Sequence, residues 1–170
     1  MPVITLVVYL GASEWDGPMS IHEMLSTKNK HLLRFVPDYR IHLIAPAQME
    51  DKDFLKFRTD FGKVLQYIKY SKDKEKLYQV THEGDRFKDV EQDSADLINV
   101  VTGSELKYEV KGGRVNMCTA IDEMRKESEN KGALTMLAGL VKKGLLSLSD
   151  AAKEAGLTPA EFLVKTAGMK

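Results

Sequence analysis

Apolar residues are placed along this chain in two ways: in short unbroken runs near the start, and at three- to four-residue spacing from about residue 51 onward. The run VITLVVYL, Val3–Leu10, has Thr5 as its one small polar interruption. A run without polar–apolar alternation predicts a strand covered on both faces, as in the middle of an α/β sheet. Gly11 ends it. In WDGP, Trp15–Pro18, the residues predict a tight turn, with Gly17 at positive φ and Pro18 pre-set for a first helical turn. Ser20 and Glu23 have capping-box spacing, and Ile21, Met24, Leu25 and Leu32 predict one or two short helices. Pro37 and Pro46 bound a second strand, Tyr39–Ile44.

Beyond it the period is helical. Phe54, Phe57, Phe61, Leu65 and Ile68 predict one long amphipathic helix over 51–70, followed by a short helix from Asp73 to about Val80. Asp85 is placed to cap a helix running to Val101, with Phe87, Val90, Leu97, Ile98 and Val101 inward. Leu106, Tyr108 and Val110 alternate ahead of Gly112–Gly113, which suits either a small hairpin or a loop. Met117, Ala120, Ile121 and Met124 resume the helical pattern. The polar stretch ESENKG, Glu127–Gly132, reads as a linker, which gives two parts, 1–126 and 127–170, the second holding three short helical segments. Residues 146–165 follow a helix–turn–helix pattern: Ala152 inside, Gly156 at the turn, Leu157 after it, Thr158 capping with Glu161. A DNA-reading second helix wants polar and basic groups at its front. This one offers Pro159, Ala160, Glu161 and Phe162, so a packing or dimerising hairpin is the expected reading.

Composition removes several function classes. The 170 residues carry 25 basic and 25 acidic side chains, so there is no broad attraction to nucleic acid or acidic lipid. The single cysteine, Cys118, excludes an internal disulfide framework and a Cys-rich zinc site, and reads as a small apolar helix residue. No two of His22, His31, His42 and His82 are three or four apart, so no metal site is expected from them. Residues 3–10 are too short to span a bilayer and follow no basic stretch. The expectation is a soluble cytoplasmic protein with no membrane contact.

Trp15 and Asp16 follow the first strand, and strand C-termini in α/β folds border clefts. They are the candidate cleft edge, the competing reading being a structural turn with Trp15 packed across the sheet end. RFVPDYR and YIKYSKDK interleave aromatic and basic residues, but acidic residues among them indicate a solvated face. Two strands alone make a marginal sheet, and a strand apolar on both faces needs neighbours. Either another chain supplies the missing edge or the chain's own helices wrap the strands. Val3, Ile4, Leu6, Val7 and Val8 are therefore the candidate interface of a homodimer.

Taken in order, PVITLVVYLG, WDGP with HEML, VPDYRIHLIAP, FLKFRTDFGKVLQYIKYSKDKEKL and DLINVVTG resemble the recombination-promoting nuclease, or transposase, family of bacteria, within the PD-(D/E)XK nuclease superfamily. The similarity runs over roughly residues 2–125 and more loosely through the tail. It implies an α/β fold in which late strands of a PD-(D/E)XK-type core precede a mainly helical C-terminal region. In that family the metal-binding acidic residue and the Glu-x-Gln or Glu-x-Lys pair precede the PVITLVVYLG strand. The resemblance thus implies a catalytically truncated member: no catalytic or metal residue, no cofactor of its own, magnesium only in the full-length family, and DNA reached only through the full-length nuclease. Pro37-Asp38 and Glu105-Leu106-Lys107 (with Glu109-Val110-Lys111) imitate the family letters. A shared magnesium needs the carboxylates on adjacent strands. More than sixty residues, predicted helices among them, separate Asp38 from Glu105, so Asp38, Glu105 and Lys107 read as surface charges. The expected function is a non-catalytic regulatory or assembly module, acting as a homodimer or with a longer family member whose dimer surface it would occupy. The alternatives are an active Mg-dependent DNA endonuclease or transposase-related enzyme, and a DNA-binding module acting through the tail.

Overall fold

The computed structural model describes residues 3–167. They divide at Cys118/Thr119 into two compact units, eight residues before the boundary the sequence suggested. The chain is mixed α/β, with helices dominant and strands short. In the first unit β1 (Leu6–Val8) pairs in parallel with β2 (His42–Ile44), Leu6 opposite His42 and Val8 opposite Ile44. Two single-turn helices, α1 (Ile21–Met24) and α2 (Lys30–Leu33), lie between them in sequence. Then come α3 (Asp51–Phe54), α4 (Phe61–Tyr70) and α5 (Lys74–His82). A separate antiparallel sheet of β3 (Val90–Glu91), β4 (Val110–Lys111) and β5 (Arg114–Val115) has the order β3-β5-β4, with α6 (Gln92–Thr102) between β3 and β4 in sequence. The two sheets do not join, so the strands among the described residues do not build a PD-(D/E)XK core.

The first unit's core gathers on α4 and α6. Val64, Leu65, Tyr67 and Ile68 of α4 are buried with Phe54, Leu77, Phe87, Val90, Ala95, Ile98, Leu106, Val115 and Met117. The expected helix over 51–70 is broken at 55–60. The Phe54 carbonyl, which a continuing helix would use, instead accepts Arg86 Nη2 at 2.9 Å. A Cβ on Gly62 would lie 2.4 Å from that same carbonyl oxygen, so only glycine lets α4 start there. The helix expected to be capped by Asp85 starts six residues later, with Glu91 in the cap position. Residues 85–88 form a turn, with Lys88 N–H on Asp85 O at 3.1 Å, and Val90–Glu91 is taken by the sheet. The Gly112–Gly113 choice resolves as a hairpin. Both glycines have positive φ, 61° and 77°, as a tight two-residue hairpin turn requires. Asn99 then holds the loop between α6 and β4, its side chain exchanging two 2.9 Å hydrogen bonds with the backbone of Leu106.

The polar stretch Glu127–Gly132 is not a linker but the middle of α7 (Met117–Lys142). Its Glu and Lys residues favour helix, it contains no proline, and Arg125 pairs with Glu129 one turn on at 3.0 Å. Residues 125–133 are exposed on every side, as in a helix segment surrounded by water. In the second unit α8 (Leu148–Glu154) and α9 (Pro159–Thr166) form the expected hairpin. Gly156 has φ 67°, and Leu157 N–H donates back to Ala152 O at 2.9 Å. Thr158 and Glu161 complete a capping box. Leu137, Ala138, Ala151, Ala152 and Phe162 make a small core. Among the described residues no helix is long and apolar enough to cross a membrane.

Candidate interaction surface

The strand expected over Val3–Leu10 is regular only at Leu6–Val8, and it is not covered on both faces. Thr5, Val7 and Tyr9 are half-buried, whereas Ile4, Leu6 and Val8 are exposed at 75%, 59% and 38%. Strand geometry sends alternate side chains to opposite faces, so one face of β1 is packed and the other is bare and apolar. Its neighbour follows the same division as far as His42, with Ile41 and Leu43 half-buried and Arg40 and His42 exposed, and ends on a half-buried Ile44. The five candidate interface residues are thus split, with Val7 on the packed face and Val3, Ile4, Leu6 and Val8 outside.

This pattern extends over the whole N-terminal quarter. Every buried apolar residue of the chain's described part lies at Ala45 or later. Residues 3–44 bury only Ser20, the N-cap of α1. Val3, Ile4, Leu6, Val8, Ile21, Met24, Leu32, Phe35, Val36 and Tyr39 are all exposed by more than a third. Their exposure adds up to about six fully exposed side chains. At roughly 60–120 Å² each, the area implied by 1.5–3 kcal/mol at 25 cal/mol/Å², that is on the order of 350–700 Å² of apolar surface. A standard protein interface buries about 800 Å² per partner, a little over half of it apolar.

Local contacts hold the segment in shape without burying it. Ile41 N–H donates to Met19 O at 3.0 Å and Ile21 N–H to Tyr39 O at 3.3 Å, so residues 19–21 run beside the entrance to β2. The Thr5 and Tyr39 hydroxyls hydrogen-bond across the pair. Trp15 is half-buried and meets the Tyr9 ring edge-on at 5.4 Å. Its indole lies over Gly17, where a Cβ would be 2.6 Å from the ring. Gly17 is therefore required for a close approach and not, as expected, for a positive φ, which it does not have. Asp16 is exposed beside it.

The imitated nuclease letters fall into ordinary structural places. Asp38 Oδ1 accepts His22 N–H at 3.0 Å and caps α1, and its Oδ2 lies 3.8 Å from His22 Nδ1. The His22 amide, ahead of smaller contributions from Ser20, holds the Asp38 carboxyl below its usual pKa. Glu105 and Lys107 are exposed in the loop after α6, Glu105 with φ 48°. Among the described residues no three His, Cys, Asp or Glu side chains converge as a metal site would.

A polar centre joining α4 to β3 and β5 has little signal along the chain. Asp60, 9% exposed, accepts Lys63 Nζ at 2.7 Å and Glu91 N–H at 2.6 Å. Lys63 Nζ also donates to Asp89 O at 2.6 Å. Arg114 grips the Asp89 carboxylate with two 2.8 Å hydrogen bonds. Only the Asp60–Lys63 spacing was visible along the chain, because the other partners lie 25 to 31 residues away. Every charge here has a partner, so the cluster ties the hairpin to α4 and offers no vacant chemistry.

Fold and surface together define a mixed α/β chain whose distinctive feature is an apolar, unpartnered sheet edge and face. No protein-family model, curated protein or solved structure matches it.

Proposed function

We propose that the chain is a non-catalytic assembly module whose residues 3–44 dock onto another protein chain. One observation carries this reading: an apolar quarter of the sequence contributes no apolar residue to the core. Leaving apolar surface in water is unfavourable, and apolar side chains gathered on one exposed strand mark an interaction site. The relation to recombination-promoting nucleases belongs to this proposal and rests on the ordered motifs alone. The parallel β1–β2 pair suits late strands of such a sheet, while the separate antiparallel β3-β5-β4 sheet does not. In that context the docked chain would be a second copy or a longer family member, and the role regulatory.

Two measurements test it. With Mg²⁺ the chain should leave supercoiled plasmid intact, since Asp38 is engaged in capping α1; cleavage lost in Asp38→Ala or Glu105→Ala would restore the nuclease reading. Hydrogen exchange of the free chain should find the amides of Ile4, Leu6 and Val8 unprotected unless another chain is bound. Strong protection in a monomer would mean that the chain closes its own sheet, and would overturn the assembly reading.

A further inference from the structure

Resting on that assembly reading, we propose that the occupant of the β1 edge is β1 of a second copy, paired antiparallel about a two-fold axis at Leu6. The hydrogen-bond phase of β1 fixes which groups are free. His42 N–H donates to Thr5 O at 3.1 Å and Tyr9 N–H to Ile44 O at 2.9 Å. Odd-numbered residues of β1 therefore face β2, and the N–H and C=O groups of Ile4, Leu6 and Val8 point the other way. Among the described residues nothing pairs with them. Residues 19–21 border the entrance to β2 on its far side, whereas β1 has no such neighbour along Ile4–Val8 among the described residues.

The edge is self-complementary. Residues 3–10 contain no charged side chain and no proline, the devices with which edge strands repel one another. Three residues, 4, 6 and 8, carry the outward groups, and they are symmetric about Leu6. Only the register with Leu6 opposite the partner's Leu6, and Ile4 opposite the partner's Val8, engages all three; a two-residue slip loses a pair. Residues opposite one another across an antiparallel pair share a face. The exposed side chains of both copies would then form one continuous apolar stripe on a four-stranded sheet, β2-β1-β1-β2. Val3, Ile4, Leu6 and Val8 retain the exposure of about two and a half side chains per copy, roughly 150–300 Å² of apolar surface beside the pairing, the scale of a weak, reversible dimer.

The test uses the full chain with Cys118→Ser, so that introduced thiols stand alone. A hydrogen-bonded antiparallel pair has Cα atoms about 5.5 Å apart, within disulfide reach. Mild oxidation should cross-link Leu6→Cys into a covalent dimer. Ile4→Cys and Val8→Cys should cross-link poorly alone and readily when mixed. A second variant, Leu6→Pro, removes an outward N–H but none from the β1–β2 ladder. It should keep the helical signal while weakening self-association at least ~tenfold. Sedimentation over a concentration series should approach twice the 19.1 kDa chain mass for the parent protein, with the midpoint moved at least ~tenfold higher for this variant. A dimer that ignores Leu6→Pro and does not cross-link through Leu6→Cys overturns the inference and leaves the assembly reading standing. A folded monomer with Ile4, Leu6 and Val8 amides unprotected does the same, pointing to a different chain. A monomer with those amides protected overturns both.

Discussion

Replacing Asp60 by asparagine keeps the size of the side chain and removes its charge, which isolates the buried cluster that joins α4 to the hairpin. Asp60 is 9% exposed and its partner Lys63 has a side chain only 13% exposed. Breaking a buried ion pair from one side costs about 3–5 kcal/mol, because the other charge is left uncompensated. Two features reduce this. Lys63 Nζ keeps the Asp89 carbonyl at 2.6 Å, and asparagine keeps an oxygen for the Glu91 N–H. The expected loss is about 2–3 kcal/mol, or roughly 8–12 °C in Tm for a domain of this size. The pH dependence adds a signature. Burial pushes the Asp60 carboxyl up, but the Lys63 ammonium, the Glu91 amide and the Arg114 guanidinium outweigh it and hold the pKa below its usual value. A depressed pKa contributes stability above the unfolded-state value and loses it as pH falls through the folded-state value. The gap between parent and Asp60→Asn should thus be full at pH 7 and narrow on acidification below about pH 4. Thermal unfolding followed by circular dichroism at both ends of that range measures it. A change under about 0.5 kcal/mol, or a gap that does not vary with pH, would refute the assignment of this cluster as the tie.

Three other predictions follow from single sites. Phe162→Ala removes the largest side chain of the small core around Leu137, Ala138, Ala151 and Ala152, at about 3–5 kcal/mol, and should abolish amide protection in α8 and α9. Gly113→Ala meets no atom within 4 Å but must hold φ 77°, so urea unfolding should register a loss of about 1–2 kcal/mol from strain alone. Tyr70 and Tyr108 are each pushed up to about 12, by burial and then by hydrogen bonds to Asp51 and Asp96. The unfolded chain deprotonates first, so stability should fall as pH rises from about 10 to 12, and Tyr108→Phe should remove one late step from an ultraviolet titration.

How far the chain could be read depends on how local each signal is. The α8–α9 hairpin was legible from Ala152, Gly156, Leu157, Thr158 and Glu161, which specify inward face, turn and cap within ten residues, while the Ser147 cap and the burial of Phe162 came only with the structure. The glycine pair at 112–113 announced a turn for the same reason. Errors arose where a distant group competed with a local pattern. Arg86, 32 residues from Phe54, takes the carbonyl that would have continued the helix over 51–70. Val90 and Glu91 suit a helix start but are claimed by Arg114 and Val115 in the sheet. Glu127–Gly132 lacks apolar period and reads as a linker, yet a solvated helix needs no such period. The candidate surface was legible as residues but not as geometry: the run Val3–Leu10 marked the place, while the exposure of Ile4, Leu6 and Val8 against the packing of Val7 depends on the register with β2.

That last disagreement between sequence and structure also sets the strength of the contact. A run apolar on both faces suits burial on both faces, and the chain itself covers one. Val3, Ile4, Leu6 and Val8 together retain the exposure of about two and a half side chains, worth roughly 4–8 kcal/mol per copy if buried. Two copies would gain roughly twice that, with a few edge hydrogen bonds adding about 1 kcal/mol each. Association costs some 4–15 kcal/mol in lost freedom before side-chain ordering is counted. The surplus fits a dissociation constant on the order of micromolar, near 8 kcal/mol, and not a permanent dimer. A contact of that strength would form and dissolve over an ordinary concentration range, as an exchangeable assembly surface must. An obligate dimer would instead bury side chains too large for the monomer to fold without, and the first unit's core is complete from Ala45 onward with no help from β1.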